Sequence, residues 1–318
     1  MDKTPNINFI LCCYSDIFYF FEHIIKAFQY EFNQLNISCE ICTDINIFLN
    51  WDNCNNNSYY ILFGGQNICQ HPNFDSFLKN NKVIIYNTEQ LQSMRWDYFI
   101  HSVVENCYEW WDYSNLNIRY LTNKIGRNKL ANGLKIKHIY FGYSKCLELL
   151  SVDDFVSNST KTQILNKDKI LFFGTYHERR REICEKLNSK LINCSNNGSN
   201  NLTVEFDVSH TIKGEKYNQI VSTNMIYLNL HFYIPSILEI VRIVPLLCQG
   251  HLVITERSDD KEMDELFSPY VLWLDEVIDD IEYLKKVIEN HDNNKCKEKF
   301  SKEINFREIL IKNLFDLS

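Results

Sequence analysis

The sequence predicts an α/β protein of two domains, each with a parallel sheet, and three observations lead there. The stretch from Met225 to Glu256 reads as an apolar strand, a polar connection, an amphipathic helix, a stop at Gly250 and a second apolar strand, which is a βαβ unit. Strands alternate with helical patterns from Asn8 onward, and the rhythm restarts at Lys169 after a break, as expected for parallel strands joined by crossovers. A chain of 318 residues has room for two such domains, at roughly 150 residues each.

The elements follow in order. Asn8 to Tyr14 (NFILCCY) is a short apolar run suited to a strand buried on both faces. A helix is expected from Ile17 to Leu35, strands at Ile37 to Thr43, Tyr59 to Phe63 and Lys82 to Asn87, and a polar loop from Trp51 to Ser58. Trp110, Trp111 and Tyr113 stand ahead of a helix beginning near Asp112 or Ser114, and Lys137 to Gly142 is the expected last strand of this half. Residues 151–167, rich in Ser, Thr, Asn and Asp, read as a linker between domains spanning 1–150 and 168–299. The second domain opens with a strand from Lys169, a turn at Gly174 and a helix carrying Arg179, Arg180 and Arg181, followed by a strand at Lys190 to Cys194. Within the βαβ unit the strands are Met225 to Leu230 and His251 to Thr255, and the helix is Ser236 to Gln249. Val271 to Leu274 closes the sheet, and Ile278 to Asn290 and Phe300 to Leu317 are helical by pattern.

Composition excludes several classes. Hydrophobic content of 45% and charged content of 23% fit an ordinary globular protein, and no apolar run approaches the length of a transmembrane helix. The net charge of -8 argues against a nucleic-acid duplex as partner, because phosphate binding needs a basic face. The opening residues MDKTPNIN lack a signal-peptide pattern, so a cytoplasmic location is expected. Twelve cysteines are scattered singly, which favours reduced thiols; Cys39 and Cys42 form a lone CxxC without the partners a zinc site needs. No DxD metal motif occurs. Asp153-Asp154, Asp259-Asp260 and Asp279-Asp280 read as surface or capping pairs, and no metal or resident cofactor is expected. The absence of GxGxxG and of a P-loop disfavours dehydrogenases, nucleotide-sugar epimerases and NTPases.

Ligands of open α/β sheets gather at the carboxyl ends of the strands, where His231, Tyr233, Glu239 and Glu256 can share one crevice. Gly174 ends a strand and precedes a helix, an arrangement in which backbone N–H groups hold phosphate. Three consecutive arginines point about 100° apart, so one or two of them can reach a ligand. Glu239 and Arg242 share a helix face, as a salt bridge or as part of a site. In the first half Asp16 and Glu89 follow strands, where a carboxylate can serve as a general base or simply cap a loop. His101 and the aromatics from Trp110 to Tyr113 can stack on a ligand ring or fill the core.

FFGTYHERRREICEKL, then YLNLHFY, ILEIVRIVPLL, Gly250 and VITE, resembles the donor domain of nucleotide-sugar glycosyltransferases of GT-B architecture. YNTEQL, YEWWDYSNLNIRYL and HIYFGY are similar to phrases of a branch that includes viral members. The resemblance implies two Rossmann-like domains facing a cleft: residues 1–150 for the acceptor, 168–299 for the donor, and a terminal helix at 300–318 returning to the first. It implies transfer of a hexose-like sugar from a nucleotide diphosphate to a glycan, protein or lipid-linked acceptor without a metal. Gly174 and Thr175 would approach the diphosphate, Arg180 or Arg242 would neutralise it, Glu239 would accept hydrogen bonds from ribose or sugar hydroxyls, and Thr255 and Glu256 would line the pocket. His231 and Tyr233 join this donor set as polar groups placed by the loop. Pro245 stands where many retaining members carry a second glutamate, so stereochemistry does not transfer. The same departure keeps open a catalytically silent binding or scaffold protein of this fold.

Overall fold

The computed structural model describes residues 7–51, 57–92, 96–131, 133–150, 165–195, 202–207 and 214–314. Most of the expected linker, the Asp153-Asp154 pair and the Asn-rich segment before Leu202 lie outside the described residues. The chain divides into two compact units: unit 1 is Met1–Ser144 with Phe306–Ser318, and unit 2 is Lys145–Asn305.

Unit 1 carries six parallel strands, β1 (Asn8–Cys13), β2 (Ser38–Cys42), β3 (Ser58–Phe63), β4 (Lys82–Asn87), β5 (Glu109–Asp112) and β6 (Lys135–His138), in the order β2-β1-β3-β4-β5-β6. Between them run α1 (Phe18–Gln34), α2 (Ile45–Phe48), α3 (Phe74–Asn80), α4 (Asp97–Val103) and α5 (Asn115–Ala131), the last broken at Gly126. β5 corrects the reading of EWWD as a lead-in to a helix. Its tryptophans alternate across the pleat: Trp111 stacks near Phe28 of α1 at 6.3 Å, whereas Trp110 meets Phe99 of α4 at 5.8 Å. Trp110, Trp111 and Tyr113 are all buried, so they fill the core and offer no platform for a ligand.

Unit 2 carries five parallel strands, β7 (Asn166–Phe173), β8 (Thr203–Asp207), β9 (Asn224–Asn229), β10 (Leu252–Thr255) and β11 (Leu272–Trp273), in the order β11-β10-β9-β7-β8. Its helices are α6 (Glu178–Ser195), α7 (Glu215–Thr223), α8 (Ile240–Leu247), α9 (Lys261–Phe267), α10 (Leu274–Val277), α11 (Ile281–Asn290) and α12 (Asn293–Glu303). The strand expected at Lys190 to Cys194 is the end of α6. Cys184, Leu187 and Leu191 recur at helical spacing and are buried together, and this stripe holds the segment in the helix. The strand lies later, at β8.

The helix of the βαβ unit is also shorter than expected. Ser236 donates its N–H to Asp259 Oδ2 at 2.6 Å and accepts from the Asp259 N–H at 2.8 Å, so its backbone is committed to the loop after β10. Helix α8 therefore starts at Ile240, and Glu239 sits at its N-cap. Gly250 ends the connection at φ 78°, and a Cβ there would come within 2.1 Å of the Asn293 carbonyl oxygen, which leaves room only for glycine. The expected helix from Phe300 to Leu317 is two helices, α12 and α13 (Phe306–Leu314), with residues beyond 314 outside the described set. Helix α13 belongs to unit 1: Phe306 packs edge-on against Phe28 at 4.9 Å, and Arg307 Nε donates to the buried Glu31 carboxylate at 2.8 Å.

Candidate functional site

In unit 2 the strand register brings the carboxyl ends of β9 and β10 level, with Asn229 opposite Thr255. Their side chains meet there, Asn229 Nδ2 donating to Thr255 Oγ1 at 3.0 Å, and both residues are buried. The loops that follow β7, β9 and β10 supply Gly174, Thr175, His231, Glu239 and Glu256, and α6 and α8 supply the arginines.

The three consecutive arginines separate by helical phase. Arg181 turns outward to Glu178. Arg179 reaches Glu256, with Nη1 3.1 Å from Oε2 and Nη2 paired to Oε1, and it also donates to the His231 carbonyl at 3.3 Å. Arg180 turns inward and is 2% exposed. It donates to the carbonyls of Leu230 at 2.6 Å, Thr175 at 3.1 Å and His231 at 3.4 Å, and its guanidinium lies over the rings of Phe172 and Phe232. Burial pulls its pKa down to about 10, a shift that the Glu239 charge only partly opposes. Arg180 thus ties the ends of β7 and β9 together. Its guanidinium is spent on the fold, and the accessible cations are its neighbours Arg179 and Arg242.

Arg242 Nη1 pairs with Glu239 Oε2 at 3.0 Å, and Nη2 donates to the Phe173 carbonyl. Gly174 makes room for this convergence, since a Cβ there would stand 2.9 Å from Arg242 Nη2 and 3.5 Å from Arg180 Nη1. The Gly174 N–H donates to the Asp207 carbonyl at 3.1 Å, so the strand end is closed by β8 and not left open as a phosphate donor. Glu239 is acted on by opposing influences. Burial raises its carboxyl, but the charges of Arg242, His231 and Arg180 outweigh it and hold the group below its ordinary value. It is therefore ionised at neutral pH.

His231 is 4% exposed. Its backbone N–H donates to Glu256 Oε2 at 2.8 Å, and its ring Nε2 lies 3.1 Å from the Glu256 carbonyl oxygen. A carbonyl can only accept, so Nε2 carries a proton there and Nδ1 is the ring atom turned toward Glu239. Nδ1 is buried without a hydrogen-bond partner and stands 4.0 Å from Glu239 Oε1. Two polar atoms thus face one spot, too far apart to hydrogen-bond each other and suited to neighbouring hydroxyls of a ligand. Among the described residues Arg179 pairs with Glu256 and Arg242 with Glu239, and both guanidinium groups keep part-exposed edges that an anion can reach.

Tyr233 sits farther along the loop, edge-on to Phe232 at 4.9 Å, and Thr175 is exposed beside the Arg180 contact. The sequence reading missed Arg179 as the partner of Glu256, and it missed Asn229, whose buried Oδ1 also has no partner. The parallel register of β9 with β10 was the signal available for Asn229.

At the carboxyl edge of unit 1, Asp16 is exposed and accepts from Tyr14 Oη at 2.7 Å. Glu89 is half-buried and accepts from Gln66 Nε2 at 3.0 Å. At the end of β5 lies Asp112, fully buried, which the sequence reading did not single out. Burial pushes its carboxyl up to about 7 although four hydrogen bonds favour the ionised form.

Neither a family model nor a curated protein sequence matches the chain. Among solved structures it is similar to an α-glucosyltransferase in complex with UDP and a 13-mer DNA, with TM-score 0.59 at 10% identity over 97% of this chain and 98% of the other. An α1,3-fucosyltransferase matches with TM-score 0.43 at 12% identity over 99% of this chain and 91% of the other. Sucrose-phosphate synthase from Thermosynechococcus elongatus matches with TM-score 0.44 at 13% identity over 95% and 80%. The chain has the GT-B fold of glycosyltransferases, with two parallel-sheet units.

Proposed function

We propose that the protein is a glycosyltransferase that moves a sugar from a nucleoside diphosphate donor to a hydroxyl of a glycan, protein or lipid-linked acceptor, without a metal. The observation that carries this reading is the charged cluster at the carboxyl edge of unit 2, with its part-exposed Arg179 and Arg242 and its buried, unpartnered His231 Nδ1 beside Glu239. A buried polar atom normally has a partner. Here neighbouring ribose or sugar hydroxyls supply the partners, one at His231 Nδ1 and one donating to Glu239. Arg242 and Arg179, both part-exposed, take the diphosphate. As the bond between the anomeric carbon and the diphosphate oxygen breaks, the electron pair stays on the diphosphate, and pre-placed guanidinium groups stabilise that charge. Gly174 and Thr175 border the same space, and Tyr233, Thr255 and Glu256 complete its wall. Arg180 holds the loops in place. On unit 1, Glu89 and Asp16 are the carboxylates that can take the acceptor's proton.

UDP accompanies the similar α-glucosyltransferase and is the first nucleotide to try. A duplex acceptor is not part of the proposal, because the net charge of -8 opposes a polyanion. Thermal shift with UDP, GDP and dTDP sugars in excess chelator tests the reading. A ligand at 100 times its Kd adds about 2.7 kcal/mol to the native state, so one nucleotide should raise the melting temperature clearly. No rise with any of them would sink the proposal, and a rise abolished by chelator would remove its metal-independent part.

A further inference from the structure

The residues Ser236-Ile237-Leu238-Glu239 have the spacing of a capping box, in which a serine opens a helix and a glutamate three residues later turns back to take the serine's own N–H. In unit 2 the helix does not open there, and Glu239 does not turn back. Its Oε2 pairs with Arg242 at 3.0 Å, and its Oε1 lies 3.6 Å from Arg180 Nη2 and 4.0 Å from His231 Nδ1. The Ser236 N–H goes instead to Asp259 Oδ2 at 2.6 Å, and the Ser236 carbonyl accepts from the Asp259 N–H at 2.8 Å. Helix α8 accordingly begins at Ile240, with Glu239 at its N-cap.

Asp259 is held in place from its own side. Its neighbour Asp260 caps the helix that follows, accepting from the Met263 N–H at 3.4 Å at the start of α9, whereas Asp259 reaches 23 residues back along the chain. The residue before it, Ser258, is buried and fixed to α9: Asp264 accepts its N–H at 2.9 Å and its hydroxyl at 2.7 Å, and Lys261 Nζ donates to its carbonyl at 2.5 Å. Earlier in the same loop, Glu256 accepts the His231 N–H at 2.8 Å. The loop after β10 therefore grips the loop after β9 at two points, His231 and Ser236, in a segment with no helix or strand of its own. A buried backbone N–H needs an acceptor. Two carboxylates are candidates for that of Ser236, Glu239 by its spacing along the chain and Asp259 by the fold. Asp259 takes it, which leaves the Glu239 carboxylate to the pocket.

We propose that Asp259 is a positioning residue of the donor site: it stands in for Glu239 as the capping partner of Ser236, and so holds the Glu239 carboxylate beside His231 Nδ1 and Arg242, where the hydroxyls of a sugar nucleotide bind. This rests on the donor reading given above. Asp259 itself touches no ligand. Without its carboxylate, Glu239 falls back on the Ser236 N–H, so the pocket loses an acceptor while the start of the helix keeps its cap.

The test uses Asp259→Ala, Asp259→Asn, Glu239→Ala and the double variant Asp259→Ala/Glu239→Ala in the full chain. Calorimetry with UDP-glucose, GDP-mannose and dTDP-glucose reads the donor, and inorganic pyrophosphate serves as an anion without sugar hydroxyls. Asp259→Ala should weaken the sugar nucleotide that wild type binds roughly 10-fold, as for one lost hydrogen bond to a charged group, and leave pyrophosphate within about 3-fold. Its melting temperature should stay within about 4 °C of wild type, because one cap replaces another. Asp259→Asn keeps an acceptor oxygen for Ser236 and should bind within about 2-fold of wild type. The double variant should bind as Glu239→Ala does, because Asp259 acts only through Glu239. Multiplied losses in the double variant, equal losses of both ligands, or Asp259→Asn as weak as Asp259→Ala overturn the proposal, and so does undiminished affinity in Asp259→Ala. Amide hydrogen exchange reads the same swap without a ligand. The Ser236 amide should stay protected in either single alanine variant, since the other carboxylate holds it, and lose its protection in the double variant. Protection lost in Asp259→Ala alone overturns the swap. If no sugar nucleotide binds wild type, the donor reading falls, and the exchange pattern still upholds or overturns the exchange of capping partners.

Discussion

The two units solve one topological problem with different chemistry. Each is a parallel sheet whose strand ends must be closed by loops, and each does so with buried side chains reaching backbone carbonyls. Unit 1 uses neutral amides, Asn87 and Asn117, gathered on one carboxyl group, Asp112. Unit 2 uses a guanidinium, Arg180, gathered on three carbonyls. Around Arg180 stand further charges that remain part-exposed, Arg179, Arg242 and Glu239, whereas beside Asp112 the Asn87 and Asn117 amides hold the backbone of the half-buried Glu89. An edge built from charge suits an anionic donor. An edge built from amides fixes a loop backbone without adding charge.

The sharpest break in this comparison is Arg180→Ala. It removes a buried cation that ties strand ends together, takes the Arg180 donor from the Leu230 and Thr175 carbonyls while His231 keeps Arg179, and opens a void over Phe172 and Phe232. Loss of one partner in a buried charged network costs roughly 3–5 kcal/mol, so urea unfolding of unit 2 should shift by about that much. Arg180→Ala as stable as wild type would mean that the guanidinium is a ligand group after all.

Arg242→Ala and Glu239→Ala probe the exposed charges of the same cluster. A lost charge-assisted hydrogen bond is worth about 1.5–3 kcal/mol, so donor affinity by calorimetry should fall roughly 10- to 100-fold while the fold persists. His231→Gln should also weaken the sugar nucleotide, but it should weaken free phosphate little, because Nδ1 is placed for a hydroxyl. Equal loss of both ligands would place His231 on the diphosphate instead.

Much of this contrast was open to sequence reading, and the misses have physical causes. β1, β3, β4, β9 and β10 are unbroken apolar runs because both their faces are covered. β5 and β8 escaped because they are short and carry acids, Glu109 and Asp112 in one and Glu205 and Asp207 in the other. β8 is also an edge strand, where such residues are tolerated. Glu239 with Arg242 was legible from spacing alone. The separate fates of three adjacent arginines were legible only in principle: the buried stripe Cys184, Leu187, Leu191, extended one turn back, lands on Arg180. The Asp112 network was not legible, because its members are spread from Asn87 to Asn117 and meet only through the register of β4 with β5.

pH separates the units further. Burial, only partly offset by its hydrogen bonds, lifts Asp112 in unit 1 from an ordinary 3.8 to about 7. The folded state therefore holds that proton more tightly than the unfolded chain, and the associated stability is complete below 3.8 and lost as pH rises through about 7. His251 in unit 2 has the opposite sign. Burial, then the His291 charge, lowers it from 6.5 to about 3, so its contribution is complete above 6.5 and lost as pH falls through about 3. His23 in unit 1, lowered by burial to about 4, shares the sign of His251, so differences between variants and wild type are the quantity to follow. Asp112→Asn should gain stability relative to wild type as pH rises from 4 to 7, and His251→Asn should gain relative to wild type as pH falls over the same range. Parallel slopes for the two variants would show that the contrast between the units does not extend to their buried titrating groups.

The smallest expected effect is the most direct check on helical phase. Arg181 differs from Arg180 by one position in the chain, yet it turns to Glu178 at the surface, and its pKa is raised by that partner. Arg181→Ala should leave both the melting temperature and donor affinity unchanged, against the large stability loss expected for Arg180→Ala and the affinity loss expected for Arg179→Ala. A basic helix face that attracts the diphosphate only through its summed charge would give three similar losses in affinity and none in stability. Three different outcomes from three adjacent arginines would instead show that unit 2 assigns each guanidinium its own task, one to the loops, one to the pocket with Glu256, and one to solvent.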